Sequence, residues 1–277
     1  MRKRSKFRLS RLLAYLALIV FFAWVLTPLI WAFSLSLKSS GDIVRIPTSF
    51  IFKPTLANYL VVFRTGEFMR QFGNSLIIGF ASTILALLLG VPAAYTLQRY
   101  RFTGKNRLDF WILSTRMAPP VAVLIPYFLI FQRLHLIDTY IAIIIMHLSV
   151  NLVLVIWLMK GFFADIPEEL SEAALVDGCT HWGTFFRIAA PLARGGIAAT
   201  AILAFLFSWN ELMFALILSG SVSKTAPVGV FNFVGFEEVA WGPLMAATII
   251  LLVPIVIFAM SMQRMLVRGL TFGAVKG

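Results

Sequence analysis

Three short stretches carry side chains that can do more than fill space. Glu172-Ala173-Ala174-Leu175-Val176-Asp177-Gly178 sets a carboxylate, two small residues and a glycine in a polar island upstream of Ile188-Ala189-Ala190-Pro191-Leu192. Trp209-Asn210-Glu211 and Arg116-Met117-Ala118-Pro119-Pro120 place charge and amide groups inside otherwise apolar runs. These residue types suit recognition rather than bond-making. A carboxylate beside a glycine turn suits docking, and Asn, Glu and Trp suit a hydroxyl-bearing solute. Hydrolytic chemistry lacks its parts: Ser223-Lys224-Thr225 has no glycine before the lysine, and HExxH, CxxC and GxSxG are missing. His135, His147 and His181 lack metal-ligand spacing. A single cysteine, Cys179, allows no intrachain disulfide and reads as a small packing residue. The chain alone is expected to be no enzyme and to hold no metal or cofactor.

The elements that must position these residues follow from composition. Of 277 residues, 60% are hydrophobic and 13% charged, with mean hydropathy +0.90. Soluble domains carry about 25% charged residues, so this is an all-α, polytopic membrane protein. The net charge of +12 comes from basic residues beside apolar runs, which favours anionic lipid headgroups over nucleic acid. A span needs about 20 mostly apolar residues. Segments of that kind cover Leu12–Leu35, Phe72–Leu97, Leu108–Phe131, Tyr140–Phe163, Gly196–Ser219 and Pro243–Leu266, giving about six transmembrane helices. Barrel strands are excluded because the runs are long and do not alternate.

Basic residues set the direction. Arg2, Lys3, Arg4, Lys6, Arg8 and Arg11 precede the first span. Arg99, Arg101, Lys105 and Arg107 follow the second, Lys160, Arg187 and Arg194 the fourth, and Arg264, Arg268 and Lys276 lie at the end. Both termini and the polar island are therefore expected to be cytoplasmic in a multi-pass protein of the cytoplasmic (inner) membrane. The organisation reads as an N-terminal tail over 1–11, a membrane domain over 12–266 with a hairpin at 165–191, and a C-terminal tail over 267–277. The first apolar stretch is too long for a cleaved signal peptide and has no small-residue cleavage site. Ser39–Arg70 reads as an ordered external loop.

The hairpin has readable punctuation. Asp165 is expected to cap its first helix, with Pro167, Glu168 and Glu169 in the first turn. Gly178 suits the left-handed position after it, Thr180 caps the second helix, and Pro191 restricts the exit. Leu170, Ala173, Ala174 and Val176 are expected on one side.

The order Glu-Ala-Ala, three residues, Gly, then Pro-Leu resembles the EAA motif of ABC importer permeases. Nearly the whole chain shares the arrangement of spans, hairpin and tail. The resemblance implies a type I ABC importer permease (MetI-like) fold and a hairpin that docks into a cytoplasmic ATPase subunit. Glu172 would anchor, Ala173 and Ala174 would form the close-fitting surface, and Asp177, Gly178 and Pro191 would shape the turn and exit. Cys179 stands where alanine is common, and Gly195 where a second proline is common. Gly269-Leu270-Thr271-Phe272-Gly273-Ala274-Val275-Lys276-Gly277 resembles the tail of MalG-like carbohydrate permeases, which implies that Gly269, Thr271, Gly273 and Lys276 reach toward the ATPase dimer. The implied substrate is a sugar or polyol. The implied partners are an ATPase subunit dimer holding ATP and Mg, a second permease subunit forming a heterodimer, and an extracytoplasmic solute-binding protein. An amino-acid or polyamine permease and a stand-alone secondary transporter are the alternative readings.

Trp209-Asn210-Glu211 resembles a Trp-Asn-Glu element of the same family. Within the fifth span these residues either line the substrate path or hold the bundle together by interhelical hydrogen bonds. Charge balance suggests a Glu211–Arg116 pair. Pro119, Pro120 and Pro126 predict a kinked or interrupted third span, and Asn151 is a further path candidate. Asn74 reads as a helix cap.

Overall fold

The computed structural model describes residues 3–235 and 237–273, with side chains for 11–235 and 237–261. Helix dominates, and among the described residues the only strand-like pairing is an isolated bridge between Val234 and Val239. The long elements are α1 (Lys3–Ser36), α2 (Glu67–Arg99), α3 (Lys105–Ser114), α4 (Pro120–Arg133), α5 (Tyr140–Ala164), α6 (Glu168–Val176), α7 (Arg194–Trp209), α8 (Met213–Leu218) and α9 (Trp241–Gly273). Four helices are long and apolar enough to cross a membrane, and two bent pairs bring the total to six if each pair is one span. The upper count agrees with the about six spans expected; the third is a bent pair, and the expected fifth, Gly196–Ser219, is divided into α7 and α8 after Trp209. The third bends by 94° between Met117 and Pro120, and the segment leading into α7 bends by 77° at Ala193. The proline pair accounts for the first bend: Pro119 and Pro120 bring no N–H to the carbonyls of Thr115 and Arg116.

The chain divides into two compact units. One comprises the chain through Phe68 together with Val230–Leu252; the other comprises Met69–Gly229 and the chain from Val253 onward. In the first unit the stretch of α1 from Leu12 to Trp31 is apolar and exposed, as a lipid-facing or partner-facing span requires, and Ser36 at its end is buried. The loop after it is ordered, as expected. Lys38 is buried, donates to the Ser49 carbonyl at 2.8 Å, and lies 5.3 Å and 5.0 Å from the ring centres of Trp31 and Phe52. The Asn58 amide donates to the Ser36 and Lys38 carbonyls at 2.9 and 2.8 Å.

The second unit is built on α2 and α5. Ala86, Val91, Ala94 and Tyr95 of α2 pack against Leu154, Val155, Met159 and Phe163 of α5 near the hairpin end. At the other end Ile78, Ile143, Met146 and Phe214 form a second apolar cluster. Alpha7 approaches α5 so closely that a Cβ on Gly196 would lie 2.3 Å from Cγ of Phe162, so only glycine fits there. The backbone of α9 is helical through Gly269, Thr271 and Gly273; the Thr271 side chain and all of Lys276 lie outside the described residues.

The end opposite the hairpin is tied by one carboxylate. Asp138, at φ +60°, accepts from the backbone N–H groups of Gly220 (2.7 Å), Val222 (3.1 Å) and Ser223 (2.9 Å) and from the Ser223 hydroxyl (2.9 Å). Burial pushes this carboxyl up, but the converging donors outweigh it and hold its pKa at about 2. Asn74 lies inside α2 and caps nothing. Its amide donates to the Val222 and Lys224 carbonyls, and its oxygen accepts from the Tyr140 hydroxyl at 2.7 Å. The cap expected from sequence is thus a tether for the 219–226 loop, formed because α2 starts further upstream, at Glu67.

Asp138 has a lowered pKa in the folded state. Its contribution to stability is therefore present above the ordinary carboxylate value of about 3.9 and is lost as pH falls toward about 2. Thermal unfolding midpoints of the purified protein and of Asp138→Asn are expected to differ at pH 6, with the gap narrowing as pH falls from about 4 through 2. A gap undiminished at pH 2 would refute the latch.

Candidate functional site

The hairpin follows α5 directly. Asp165 closes α5, and Pro167 occupies the position before α6 without a side-chain cap. The expected capping by Asp165 is therefore corrected: it lies on the C-terminal side of the preceding helix, too early to reach the first free N–H groups of α6. Glu168 and Glu169 do occupy the first turn. Gly178 adopts φ +87°, with Cys179 N–H donating to the Ala174 carbonyl (2.9 Å) and Gly178 N–H to the Leu175 carbonyl (3.1 Å). These two bonds form a Schellman closure, which needs the left-handed residue at this position. Thr180 caps the second arm through Gly183 N–H at 3.1 Å. That arm runs through His181–Thr184, a π turn at Phe185–Ala189 and Ala190–Leu192. Pro191 lies inside this last turn and supplies no N–H to the Arg187 carbonyl; the chain changes direction just after it, at Ala193.

Arg99 holds the base of the hairpin. Its nearly buried guanidinium donates to the carbonyls of Ile166 (2.5 Å) and Pro167 (3.4 Å) and lies 3.5 Å from the Glu168 carboxylate. The Tyr100 hydroxyl meets Nδ1 of His181 at 3.0 Å, and the Tyr95 ring packs 5.3 Å from both Phe163 and Phe185. Both arms are thus bound to the end of α2. The tip is left bare. Glu172, Ala173, Asp177 and Gly178 are exposed, as are Leu170 and Val176, the latter at 86%. Ala174 is only 5% exposed and packs inward beside Ser171, so the expected single face of Leu170, Ala173, Ala174 and Val176 is divided. A helix held along one side must turn one of two adjacent alanines inward. On the second arm Trp182 and Phe186 stack at 5.9 Å and remain exposed. The sequence reading missed this apolar pair, although two aromatics on a polar island were a signal.

The fifth span breaks after Trp209. Trp209 is 1% exposed, held edge-on by Phe72 at 5.2 Å and stacked on Phe205 at 5.8 Å. It offers no face to a solute, a correction to its expected place on the path. Asn210 ends α7 and donates to the Leu206 carbonyl at 2.8 Å while its side chain stays exposed. Glu211 does not pair with Arg116. Its carboxylate accepts from Phe214 N–H (3.0 Å) and Ala215 N–H (3.2 Å) at the start of α8, and Oε2 lies 3.2 Å from Nε2 of His147. His147 Nδ1 meets the Ser208 hydroxyl at 2.6 Å, and Ser208 meets Ser82 at 2.8 Å. The break itself corrects the charge-balance pairing, because it exposes amide donors that satisfy the carboxylate locally. Arg116 instead lies 5.2 Å from the ring centre of Phe207. Asn151 is buried in α5, and its side-chain nitrogen has no partner among the described residues.

Arg116 also borders a groove of about 640 Å³ at the bend between α3 and α4, walled by α5 from Met146 to Ile156. Trp111, Thr115, Tyr127 and Ser149 line it. A smaller cavity of about 300 Å³ lies under the hairpin between Tyr95, Tyr100, His181 and Trp182.

Residues 86–272, which include the hairpin, the broken spans and the groove, match the family described as binding-protein-dependent transport system inner membrane component. The chain belongs to this family. It is 40% identical over 251 residues to the probable ABC transporter permease protein y4oR of Sinorhizobium fredii, covering 91% of this chain and 90% of that one. It is 38% identical to the trehalose transport system permease protein SugB of Mycobacterium tuberculosis, covering 92% and 93%. It is 32% identical to the trehalose/maltose transport system permease protein MalG of Thermococcus litoralis, covering 97% and 98%. A crystal structure of a bacterial ABC transporter involved in import of the acidic polysaccharide alginate superposes with TM-score 0.80 at 22% identity, covering 95% of this chain and 98% of that one. At that identity the likeness shows the fold, that of ABC importer permeases. This permease is accordingly a multi-pass inner-membrane transport component and not an enzyme.

The polar chain from Ser82 to Glu211 is expected to hold the permease's broken span. His147→Ala leaves Ser208 and Glu211 short of a partner and is predicted to cost about 1–3 kcal/mol, read as a lower unfolding midpoint in detergent. An unchanged midpoint would contradict that role.

Proposed function

We propose that this chain is one permease subunit of an ATP-driven importer that moves a sugar or polyol inward by alternating access. The observation that carries the reading is the hairpin: a rigid base bound to α2 by Arg99 and Tyr100, with a tip that leaves Glu172, Ala173 and Val176 uncovered. Rigid attachment lets a push at the tip move a span, and an uncovered apolar and acidic tip leaves room for a partner. The partner is an ATPase subunit, which supplies ATP and Mg chemistry that this sequence has no motif for. Asp177, Gly178 and the Pro191 turn shape the contact, Ala174 supports it from inside, and the tail from Gly269 to Lys276 extends toward the ATPase dimer. A second, different permease completes the pathway, and an extracytoplasmic binding protein delivers solute.

The sugar assignment is supported by relatives named for trehalose, trehalose/maltose and diacetylchitobiose transport. Both termini and the hairpin lie on the cytoplasmic side in this reading, in keeping with the basic residues that flank the spans.

Two measurements test it. Gly178→Val, which forces a β-branched residue to φ +87°, is expected to lower uptake and retention of the ATPase subunit at least tenfold while membrane insertion stays normal. Cys179, the sole cysteine, lies in the hairpin. It is expected to react with a membrane-impermeant maleimide in inside-out vesicles and not in intact cells, and the reverse pattern would overturn the orientation.

A further inference from the structure

The groove at the broken third span lies at mid-depth in the helical unit that carries the hairpin. Its wall on α5 runs from Met146 to Ile156, the middle of a helix spanning Tyr140–Ala164. At 1.5 Å per residue this wall is about 15 Å long, and it lies midway along the helix. Its volume of about 640 Å³ falls within the range that holds small solutes. The opposite wall is the break itself, where Ala118 and Pro120 interrupt the helix. Interrupted spans near mid-depth supply polar groups that an intact helix keeps to itself.

Most of the lining is apolar, and a few polar groups stand out in it. Arg116 is exposed, rests on Phe207, and makes no ion pair among the described residues. An intramembrane charge is costly unless it serves a purpose. The hydroxyl protons of Thr115 and Ser149 are committed to the carbonyls of Ile112 and Met146, each at 2.7 Å. Their oxygens therefore present only lone pairs to the groove. Trp111 and Tyr127 add ring faces, and no carboxylate lines the cavity. Glu211, the nearest acidic residue in sequence to the lining residue Phe214, has its oxygens directed to His147, Phe214 and Ala215.

Resting on the carbohydrate reading above, we infer that this groove is a saccharide subsite contributed by this subunit. The Arg116 guanidinium donates to ring hydroxyls, Thr115 and Ser149 accept from them, and Trp111 and Tyr127 flank the ring faces. A guanidinium with no opposing carboxylate admits a neutral or anionic polyhydroxylated solute and rejects a polyamine. The assignment moves the path from Trp209 and Glu211, which are occupied with holding the bundle, to the bend of the third span.

The test uses the complete transporter with its binding protein in proteoliposomes. Cys179→Ser removes the native thiol, and Ala118→Cys, at an exposed lining position with no assigned ligand contact, places a reporter in the groove. Trehalose, maltose, a glucuronate disaccharide and spermidine serve as probes. At least one saccharide is expected to stimulate ATP hydrolysis and to slow maleimide modification of the reporter at least fivefold, with no protection by spermidine. Arg116→Gln is expected to abolish that protection while the complex still assembles, and Arg116→Lys to restore part of it. Stimulation by a saccharide without protection overturns the subsite alone. A reporter that stays unreactive through the whole cycle also overturns it and marks the groove as covered by the partner permease or lipid. Failure of every saccharide to stimulate hydrolysis, with stimulation by spermidine, sinks the carbohydrate reading itself and the subsite with it.

Discussion

A polar group surrounded by hydrocarbon has to find its partner inside the protein. Each break in this bundle is arranged around that constraint. Where α7 stops at Trp209, free amides at the start of α8 would face an apolar interior; Glu211 accepts from two of them, and His147 lies against the charge that results. Ser208 and Ser82 extend the chain of bonds to α2. The carboxylate, the imidazole and the break depend on one another. Removing one leaves the others unsatisfied in a medium with no water to substitute. Glu211, which looked suited to solute in the sequence, has its oxygens taken up by the break and by His147.

The third span meets the same constraint differently. Two prolines remove donors, the helix turns through 94°, and a groove opens where the backbone is irregular. No carboxylate closes on Arg116 there, so the charge faces the groove and the ring of Phe207. One broken span therefore buries its polar groups in a closed network, while the other turns them toward open space.

Mechanical linkage is the third consequence. Arg99 binds backbone carbonyls at the hairpin base rather than side chains, so the joint does not depend on which residues occupy the tip. Tyr100 and Tyr95 fasten the second arm to the same end of α2. The tip is free to carry the small, acidic and apolar residues that a partner surface needs. At the far end of α2, Asn74 and Asp138 tie the 219–226 loop. Alpha2 is thus anchored at both ends, which suits an element that carries displacement along its length.

The sequence by itself determined the number of spans, the helical hairpin and its glycine turn. Each of these rests on local rules: apolar length, capping chemistry, and the φ that only glycine adopts without strain. It also marked the third span as interrupted, because proline acts on its own helix. Partnership was not legible. Charge balance pointed Glu211 at Arg116, and helix spacing put Ala173 and Ala174 on one face. Which donor lies near a carboxylate, and which of two adjacent alanines turns inward, depends on segments distant in the chain: His147 for Glu211, and the helices beneath the hairpin for Ala174. Those choices belong to tertiary structure because contact energy depends on distance in space, and one-dimensional spacing does not encode it beyond a turn or two of helix.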